Sequence, residues 1–344
     1  MAHLGNRHLH LTILPTERCN FRCTYCYEDF AVGKMKRWVI DAIKQLIQNR
    51  IEKSGLKSLQ LEWFGGEPLI AKDVVHEISE YANSFFKSGH LDEFEGGLTT
   101  NAYLLDIDTL ARLVDHRQRN FQVSLDGDED AHNRSRRYAS GDGTFSTIWP
   151  NLLAAAESSL DFAITLRLHI MPGNESSLYA LSERIRHNFG GDRRFTIYLR
   201  HISDLNNTNN VDKVLKTISM TDALRIASSL EHSLSETGFV VSNGVGNVFE
   251  SQVKTISIGK PGAKVDAEAG NYGYICYAAK PNHLMIRADG RLGKCTVALN
   301  SQSNHVGQIL PDGRVRIDDE RMNYWLRGHA NRDAQELGCP AHTY

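Results

Sequence analysis

The sequence has little net charge and no long apolar run. Its 39 lysines and arginines are nearly balanced by 41 aspartates and glutamates, which gives a formal net charge of −2 at pH 7. A chain this close to neutrality lacks the positive excess that drives binding to nucleic acid or to an anionic membrane. No apolar segment has the length of a membrane span, and residues 1–7 contain no signal-peptide core. We therefore expect a cytoplasmic protein whose main partner is neither nucleic acid nor a membrane.

Cysteine is missing from the middle of the chain. The six cysteines fall into two groups of three, which are Cys19, Cys23 and Cys26, and Cys276, Cys295 and Cys339. In a cytoplasmic protein, cysteines serve as metal ligands or catalytic thiols far more often than as disulfides. We therefore interpret both groups as metal ligands or catalytic thiols.

Up to residue 200, segments with the pattern of strands alternate with segments that have the periodicity of amphipathic helices. The predicted strands are 8–14, 58–64, 94–100, 121–125, 162–170 and 195–200, and the predicted helices are 38–52, 74–86, 107–114, 148–158 and 177–187. This alternation indicates a parallel sheet wound through right-handed crossovers. Ligands bind such sheets at the carboxyl ends of the strands. Beyond residue 200 a further helix is predicted, with Thr221 as its N-cap, between a polar loop and a glycine-rich segment.

The first cysteine group has the spacing Cys-x3-Cys-x2-Cys. A short loop of this kind can hold three corners of an iron–sulfur cube but cannot supply the fourth, so one iron stays open for a small molecule. A structural zinc site is the alternative interpretation. Zinc needs a fourth closed ligand, and His10 is the nearest candidate.

This loop, with Tyr25 directly before Cys26, resembles the signature of the radical S-adenosylmethionine (radical SAM) enzymes. In that family the open iron of a [4Fe–4S] cluster binds the amino and carboxylate groups of SAM. An electron from the reduced cluster then cleaves SAM to a 5′-deoxyadenosyl radical. The resemblance implies an α/β fold with a partial (β/α)6 TIM-like barrel, and it places Tyr25 near the adenine.

A Gly65-Gly66-Glu67-Pro68 motif follows the second predicted strand. Because Gly65 and Gly66 lack a Cβ atom, the backbone there can approach a ligand closely and leave its carbonyls free as acceptors. Radical SAM enzymes have a Gly-Gly-Glu motif at this position that contacts the methionine amino group of SAM. A simple turn is the alternative for the glycines and Pro68.

Polar side chains also close the next two predicted strands. Thr100 and Asn101 end the third strand, and Ser124 and Asp126 end the fourth. Hydroxyl, amide and carboxylate groups at these ends suit the ribose hydroxyls and the carboxylate of SAM. Helix caps or Asx turns are the alternative.

Residues 124–127 (Ser-Leu-Asp-Gly), followed by His132 and Arg136, resemble a stretch of the peptide-modifying radical SAM enzymes. Asn133 departs from the aspartate usual there. The resemblance implies that the Arg136 guanidinium binds the SAM carboxylate. Arg167, at an inner strand position, is a second candidate for that role or else a solvated edge residue.

Cys276 and Cys295 flank a predicted hairpin with an Asp-Gly turn. This segment resembles the opening half of the SPASM and twitch modules, which carry auxiliary [4Fe–4S] clusters. Only Cys339 follows, which favours a twitch-like, one-cluster version. The resemblance implies Cys276, Cys295 and Cys339 as ligands, with His342 at the fourth corner or that corner open to substrate or water. The alternatives are a zinc ribbon or buried thiols for the cysteines, and a disordered tail for His342.

These features predict a radical SAM barrel over residues 1–200, a bridging region over 201–271 and an auxiliary-cluster domain over 272–344. An auxiliary cluster could accept the electron left on a substrate, which indicates a net oxidation. The leading hypothesis is the oxidative modification of a peptide or protein side chain, such as a cross-link or a thioether. The expected partners are a precursor peptide or protein and an electron donor such as flavodoxin or ferredoxin.

Two other functions stay open. One is a radical SAM dehydrogenase or carbon-inserting enzyme that acts on a small molecule. It is favoured by the short sequence before the first predicted strand, from which we expect no N-terminal peptide-recognition domain. The other, without catalysis, is an iron–sulfur electron carrier or a zinc-stabilised binding protein. No residue stands out as a general acid or base.

Overall fold

The computed structural model describes residues 6–205, 215–245 and 275–342. Within these ranges the protein is a mixed α/β structure built around one large sheet, as the alternating pattern predicts. The predicted polar loop at 206–210 and most of the glycine-rich segment at 244–273 lie outside the described residues.

All six predicted strands and all the predicted helices are present, with shifted ends. The strands are β1 (His8–Ile13), β2 (Phe21–Cys23), β3 (Ser58–Trp63), β4 (Glu93–Thr100), β5 (Gln118–Leu125), β6 (Arg136–Tyr138), β7 (Ala163–Ile170), β8 (Phe195–His201), β9 (Val241–Asn243), β10 (His283–Ile286), β11 (Arg291–Gly293), β12 (Gly307–Ile309) and β13 (Val315–Ile317). The helices are α1 (Arg37–Ser54), α2 (Lys72–Lys87), α3 (Ile107–Asp115), α4 (Glu129–Ser135), α5 (Phe145–Glu157), α6 (Glu175–Phe189), α7 (Met220–Ser235), α8 (Asp319–Asn331) and α9 (Ala334–Gly338).

The large sheet has the strand order β13-β12-β11-β10-β1-β3-β4-β5-β7-β8-β9. Neighbouring strands from β10 through β1 to β9 are parallel, whereas β10 to β13 pair antiparallel. Parallel neighbours need crossover connections, and the helices that lie between successive parallel strands include α1, α2, α3, α5, α6 and α7. The carboxyl ends of the parallel strands therefore meet along one edge of the sheet.

Helix α1 shows how the sequence specifies one of these crossovers. Its apolar residues recur at helical spacing and are buried against the sheet, among them Ile43 and Ile47. The helix stops at Gly55, which has a left-handed backbone (φ 67°) that glycine adopts without steric cost.

The start of helix α7 differs from the prediction. Ser219, not Thr221, is the N-cap, because its Oγ accepts a hydrogen bond from the N–H of Asp222 at 3.1 Å. Both hydroxyl residues fit the capping pattern, and Ser219 is the one whose backbone is extended (φ −64°, ψ 147°).

The C-terminal segment joins the barrel sheet directly, which the sequence does not predict. Strand β10 pairs in parallel with β1, with His10 opposite His283 and Ile13 opposite Ile286. The predicted Asp-Gly hairpin is confirmed, since β10 and β11 pair antiparallel around Gly290, whose φ is 87°.

A small second sheet lies beside the first cysteine group. Strands β2 and β6 pair antiparallel, with Cys23 opposite Arg136. Each strand has three residues, too few for a periodic pattern, and so neither is predicted from the sequence. This pairing fixes Arg136 next to the cysteine loop.

None of the helices in the described ranges combines the length and the apolar character needed to cross a bilayer.

Candidate active site

A cavity of about 480 Å³ runs along the parallel strands, from residues near their amino ends such as Gln60 and Ala163 to the motifs at their carboxyl ends. All six cysteines line it, and none of the six is in a disulfide. Eight of the residues predicted to bind the cofactor also line this cavity: Tyr25, Gly65, Gly66, Thr100, Asn101, Ser124, Arg136 and Arg167. The structure thus brings together, from strands far apart in sequence, most of the side chains that the motifs singled out.

The first cysteine group lies on the segment that follows β1. Cys19 is in the loop before β2, Cys23 is the last residue of β2, and Cys26 follows it. The N–H of Phe21 donates to Sγ of Cys19 at 3.3 Å, and the N–H of Cys26 donates to the carbonyl of Cys23 at 3.2 Å. Burial raises the pKa of the Cys19 thiol above its ordinary value, and the nearby Glu67 and the other two cysteines add to this. Thiols that influence one another in this way can ionise together only if a positive charge compensates them.

The two glycines of the motif after β3 have a steric role against this loop. A Cβ atom on Gly65 would lie 2.2 Å from the carbonyl oxygen of Thr16, and one on Gly66 would lie 2.5 Å from that of Arg18. Gly65 also has a φ of 109°, outside the range of ordinary side chains. The glycines therefore let the end of β3 touch the backbone that leads into Cys19, besides facing the cavity.

Glu67 lies behind the cavity wall. Its fully buried carboxylate accepts hydrogen bonds from the Thr100 hydroxyl (2.8 Å), the Asn101 N–H (2.7 Å) and the Leu69 N–H (3.0 Å). Neither Glu67 nor Pro68, which opens a short 3-10 turn, is among the lining residues. In this structure Glu67 fixes the end of β4. It thereby also fixes Thr100 and Asn101, whose side chains face the cavity.

Asp126 is also buried behind the wall, at the centre of a polar network. It accepts hydrogen bonds from Nδ1 of His169 (2.9 Å), the Tyr25 hydroxyl (3.1 Å) and the Ser135 hydroxyl (2.5 Å). Burial alone would raise its pKa, but the bond and charge of His169 and the charge of Arg136 outweigh burial, so the pKa lies below its ordinary value. The helix cap after β5 is Asp128, so capping does not account for Asp126.

Two of the arginines that line the cavity each have a buried Nε without a hydrogen bond. Nη1 of Arg136 donates to the Tyr25 hydroxyl at 2.6 Å, while its Nε is buried without a hydrogen bond. The Nε of Arg167 is likewise buried without one, and its guanidinium lies 5.8 Å from the centre of the Tyr198 ring. A buried unsatisfied guanidinium nitrogen is costly, so these two nitrogens are available as donors to an anionic group in the cavity.

The second cysteine group lines the same cavity as the first. Cys276 is held by its N–H, which donates to the carbonyl of Leu337 at 2.9 Å and so brings the chain before Cys339 alongside. Burial, reinforced by Cys295, raises the pKa of Cys276 to about 12. His342 belongs to a 3-10 turn that follows Cys339, and its side chain lies outside the described residues.

A sequence model of the Radical SAM superfamily matches residues 13–181. This chain carries a radical SAM domain. It is therefore an enzyme of the kind that binds a [4Fe–4S] cluster and SAM, as the cysteine motif predicts.

Sequence relatives of this radical SAM protein include a GTP 3′,8-cyclase of Microcystis aeruginosa, which is 27% identical over 316 residues, or 87% of this chain and 83% of the relative. A GTP 3′,8-cyclase of Brucella ovis is 36% identical over 124 residues, which span 34% of that relative.

Solved structures with the same fold include anSMEcpe with bound AdoMet, at a TM-score of 0.65 and 20% identity over 92% of this chain and 80% of that one. Streptococcus suis SuiB has a TM-score of 0.61 and 15% identity over 93% and 68% of the two chains. At these identities the likeness shows the fold.

The residues present fit the cofactors of a radical SAM enzyme. Thiol ligands must ionise to bind metal, and the charge of a cluster supplies the compensation that the raised pKa of Cys19 calls for. The orphaned Nε atoms of Arg136 and Arg167 suit a carboxylate such as that of SAM. Among the residues that the structure describes, no three His, Cys, Asp or Glu side chains are grouped so as to hold a single metal ion.

Several lining residues of this radical SAM site escape the sequence analysis. Glu28 and Glu62 are the acidic side chains among the described lining residues, and burial raises their pKa values to about 8 and about 7. Such values are those that a general acid or base needs near neutral pH. The alternation of the strand that ends at Phe64 puts Glu62 on its inner face, a signal that could have identified it. His169, two residues after Arg167 on the same face of β7, lines the cavity as its position near a strand end predicts.

Proposed function

We propose that Cys19, Cys23 and Cys26 hold the [4Fe–4S] cluster that binds SAM. The observation that supports this is the convergence of the three thiols, both motif glycines and the unsatisfied Arg136 on one cavity. When bound, the cluster and SAM together supply a 5′-deoxyadenosyl radical.

The chain's own contribution is binding and orientation. Arg136, fixed by the Tyr25 hydroxyl and by the pairing of β6 with β2, holds the SAM carboxylate, and Arg167 is available to the same group or to an anionic group of the substrate. Thr100, Asn101 and Ser124 offer hydrogen bonds to the ribose and to the methionine end of SAM. Hydrogen abstraction needs the reacting carbon in contact with the target atom. The contribution of these side chains to catalysis is therefore to hold SAM in a fixed position.

We further propose that Cys276, Cys295 and Cys339 hold an auxiliary [4Fe–4S] cluster within a C-terminal domain over 272–344, with His342 or an open corner as the fourth position. Supporting this, all three cysteines line the cavity that the first cysteine group lines. A redox group beside the substrate suits a net oxidation. The barrel over 1–200 and the bridging region over 201–271 complete the proposed domain division.

The proposed substrate is a peptide or protein side chain. Two proteins with this fold have been solved with peptides, namely anSMEcpe with AdoMet and the Cp18Cys peptide and SuiB with the precursor peptide SuiA. Reduced flavodoxin or ferredoxin is the proposed electron donor.

A small-molecule substrate is the second candidate. It is favoured by the 27% identity to a GTP 3′,8-cyclase over 87% of this chain. Arg167 and Arg200 lie on adjacent strands at the cavity wall and would suit a phosphorylated substrate.

One experiment tests the reaction and a second separates the substrates. Anaerobically reconstituted protein is reduced with dithionite in the presence of SAM, and 5′-deoxyadenosine is measured by mass spectrometry. The account predicts 5′-deoxyadenosine from the wild type and none from a Cys19→Ala/Cys23→Ala/Cys26→Ala variant. Addition of GTP or of short peptides encoded beside the gene then shows which one is altered. Turnover of GTP alone would overturn the peptide proposal, and formation of no 5′-deoxyadenosine would overturn both.

A further inference from the structure

Two tyrosines that line the cavity, Tyr27 and Tyr277, both make polar contacts with Thr296. The Tyr27 hydroxyl donates to the carbonyl oxygen of Thr296 at 3.0 Å. The Tyr277 hydroxyl accepts from the N–H of Thr296 at 2.9 Å and lies 2.9 Å from its Oγ1. A single residue is therefore held by three polar contacts from two aromatic side chains.

Each of these three residues directly follows a cysteine. Tyr27 comes after Cys26 of the first group, while Tyr277 and Thr296 come after Cys276 and Cys295 of the second. The bond from Tyr27 to Thr296 thus joins the cysteine loop of the barrel to the second cysteine group, across 269 residues of sequence.

The Tyr27 side of this contact has little freedom to move. Its ring packs against the buried Leu14, Met285 and Leu299, which form a small apolar cluster apart from the main core. Leu14 follows β1, and Met285 lies on β10, so the ring is wedged where barrel and C-terminal strands pair.

The Thr296 side is equally fixed. Oδ1 of the buried Asn304 accepts hydrogen bonds from the N–H groups of Lys294 (2.8 Å) and Cys295 (2.9 Å), and its Nδ2 donates to the carbonyl oxygens of Cys295 (2.8 Å) and Ala298 (2.9 Å). With both ends held by buried contacts, the Tyr27 hydroxyl is a rigid link and not a surface contact of chance.

We propose that Tyr27 is a positioning residue that sets the placement of the second cysteine group relative to the first. This inference rests on the proposed function, which assigns a cluster to each group. Small displacements of the residues that support an active site change its catalytic activity strongly. In this proposal the Tyr27 hydroxyl, through its bond to Thr296, holds the second cysteine group in place, which packing of the ring alone does not do.

The test is the magnetic interaction between the two clusters, which depends on their separation and mutual orientation. Wild-type and Tyr27→Phe holoenzymes are reduced anaerobically with dithionite, and the spin–spin splitting between the clusters is recorded by EPR in frozen solution. We expect equal iron content in the two proteins, with a resolved splitting in the wild type that is shifted or lost in Tyr27→Phe.

Two matched variants serve as controls. Thr296→Val keeps the carbonyl that accepts from Tyr27 and removes only Oγ1, so we expect the wild-type splitting. Tyr81→Phe removes a hydroxyl that donates to Gln48 on the outer helices at 3.1 Å, and we expect no change there either.

The possible outcomes distinguish the positioning role of Tyr27 from the proposal that the protein holds two clusters. An unchanged splitting in Tyr27→Phe, or a change in Thr296→Val alone, overturns the positioning role and leaves the two-cluster proposal standing. A wild-type protein with a single cluster overturns both. Should Tyr27→Phe alone assemble too little iron for EPR while Thr296→Val and Tyr81→Phe assemble the wild-type amount, the hydroxyl serves cluster assembly and not placement, which also overturns the role.

Discussion

At the scale of single residues, the cavity wall consists of buried polar groups that fix one another. Glu67 holds Thr100 and Asn101, and Asp126 holds His169 and Tyr25. The acids are satisfied by these internal bonds, while arginine nitrogens beside them are left without partners. Glu67 and Asp126 therefore stabilise the cavity wall, whereas the arginine nitrogens are available to bind a ligand.

Replacing Arg136 by methionine is expected to weaken SAM binding about tenfold or more, because a hydrogen bond to a charged group contributes roughly 1.5–3 kcal/mol. Equilibrium dialysis with labelled SAM measures the effect. Arg137→Met is the matched control, since Arg137 is exposed and its Nε donates to the Asn133 carbonyl. Equal losses in the two variants would contradict the assignment of Arg136.

His132 predicts how stability depends on pH. It is fully buried against Phe145 with both ring nitrogens unpartnered, and burial, reinforced by Arg136, lowers its pKa from 6.5 to about 3. The unfolded chain therefore takes up a proton below pH 6.5 that the folded chain does not, and stability falls as the pH drops toward 3. From pH 6.5 to 5 this one group accounts for a loss of about 2 kcal/mol.

The thermal unfolding midpoint at pH 7 and pH 5 checks this prediction. We expect His132→Leu to lose less on going from pH 7 to pH 5 than the wild type does, because leucine adds no protonation step. An identical drop in both proteins would assign the pH dependence to other groups.

At the scale of elements, the turn after β3 must touch the cysteine loop. Gly66→Ala places a methyl group 2.5 Å from the Arg18 carbonyl oxygen, which is backbone and cannot move aside cheaply. We expect the loop to shift and the iron bound after reconstitution to fall, as measured by a colorimetric iron assay. Gly33→Ala is the control, since the nearest atom there is a side-chain nitrogen of Arg18 at 3.7 Å. Full iron content in Gly66→Ala would refute this steric account.

The hairpin of β10 and β11 is tied to the cysteine loop by a buried ion pair. Arg287 donates to both carboxylate oxygens of Glu17, at 2.8 and 2.5 Å, and both side chains are buried. Removing one partner leaves an uncompensated charge, so Arg287→Met should cost about 3–5 kcal/mol of stability. A Glu17→Met/Arg287→Met double variant should cost less, and thermal midpoints of the single and double variants decide the point. A double variant less stable than Arg287→Met would contradict it.

At the scale of the whole molecule, local sequence patterns were sufficient to predict the strands and helices of the barrel and insufficient to predict how the C-terminal strands extend its sheet. The helical spacing of Ile43 and Ile47 and the strand ends at Thr100 and Ser124 are local signals, and the structure confirms those elements. The pairing of β1 with β10 joins segments about 270 residues apart, a contact that no local periodicity encodes.

The sequence motifs predicted which residues belong to the site better than they predicted what each residue does there. Most of the site residues predicted from strand ends, cysteine spacing and the family resemblance line the cavity. The use of Glu67 as an internal acceptor, and of Tyr27 as a link between the cysteine groups, depends on tertiary neighbours that a linear pattern does not contain. Short elements such as β2 and β6 escaped for the same reason.

The most direct test of the central claim is the iron content of anaerobically reconstituted protein in three forms. Two [4Fe–4S] clusters predict about eight irons per chain in the wild type and about four when either cysteine group is replaced by alanine. Loss of 5′-deoxyadenosine should follow the first group, Cys19, Cys23 and Cys26. Zinc in place of iron, or a wild type with about four irons that are all lost with one group, would contradict the account.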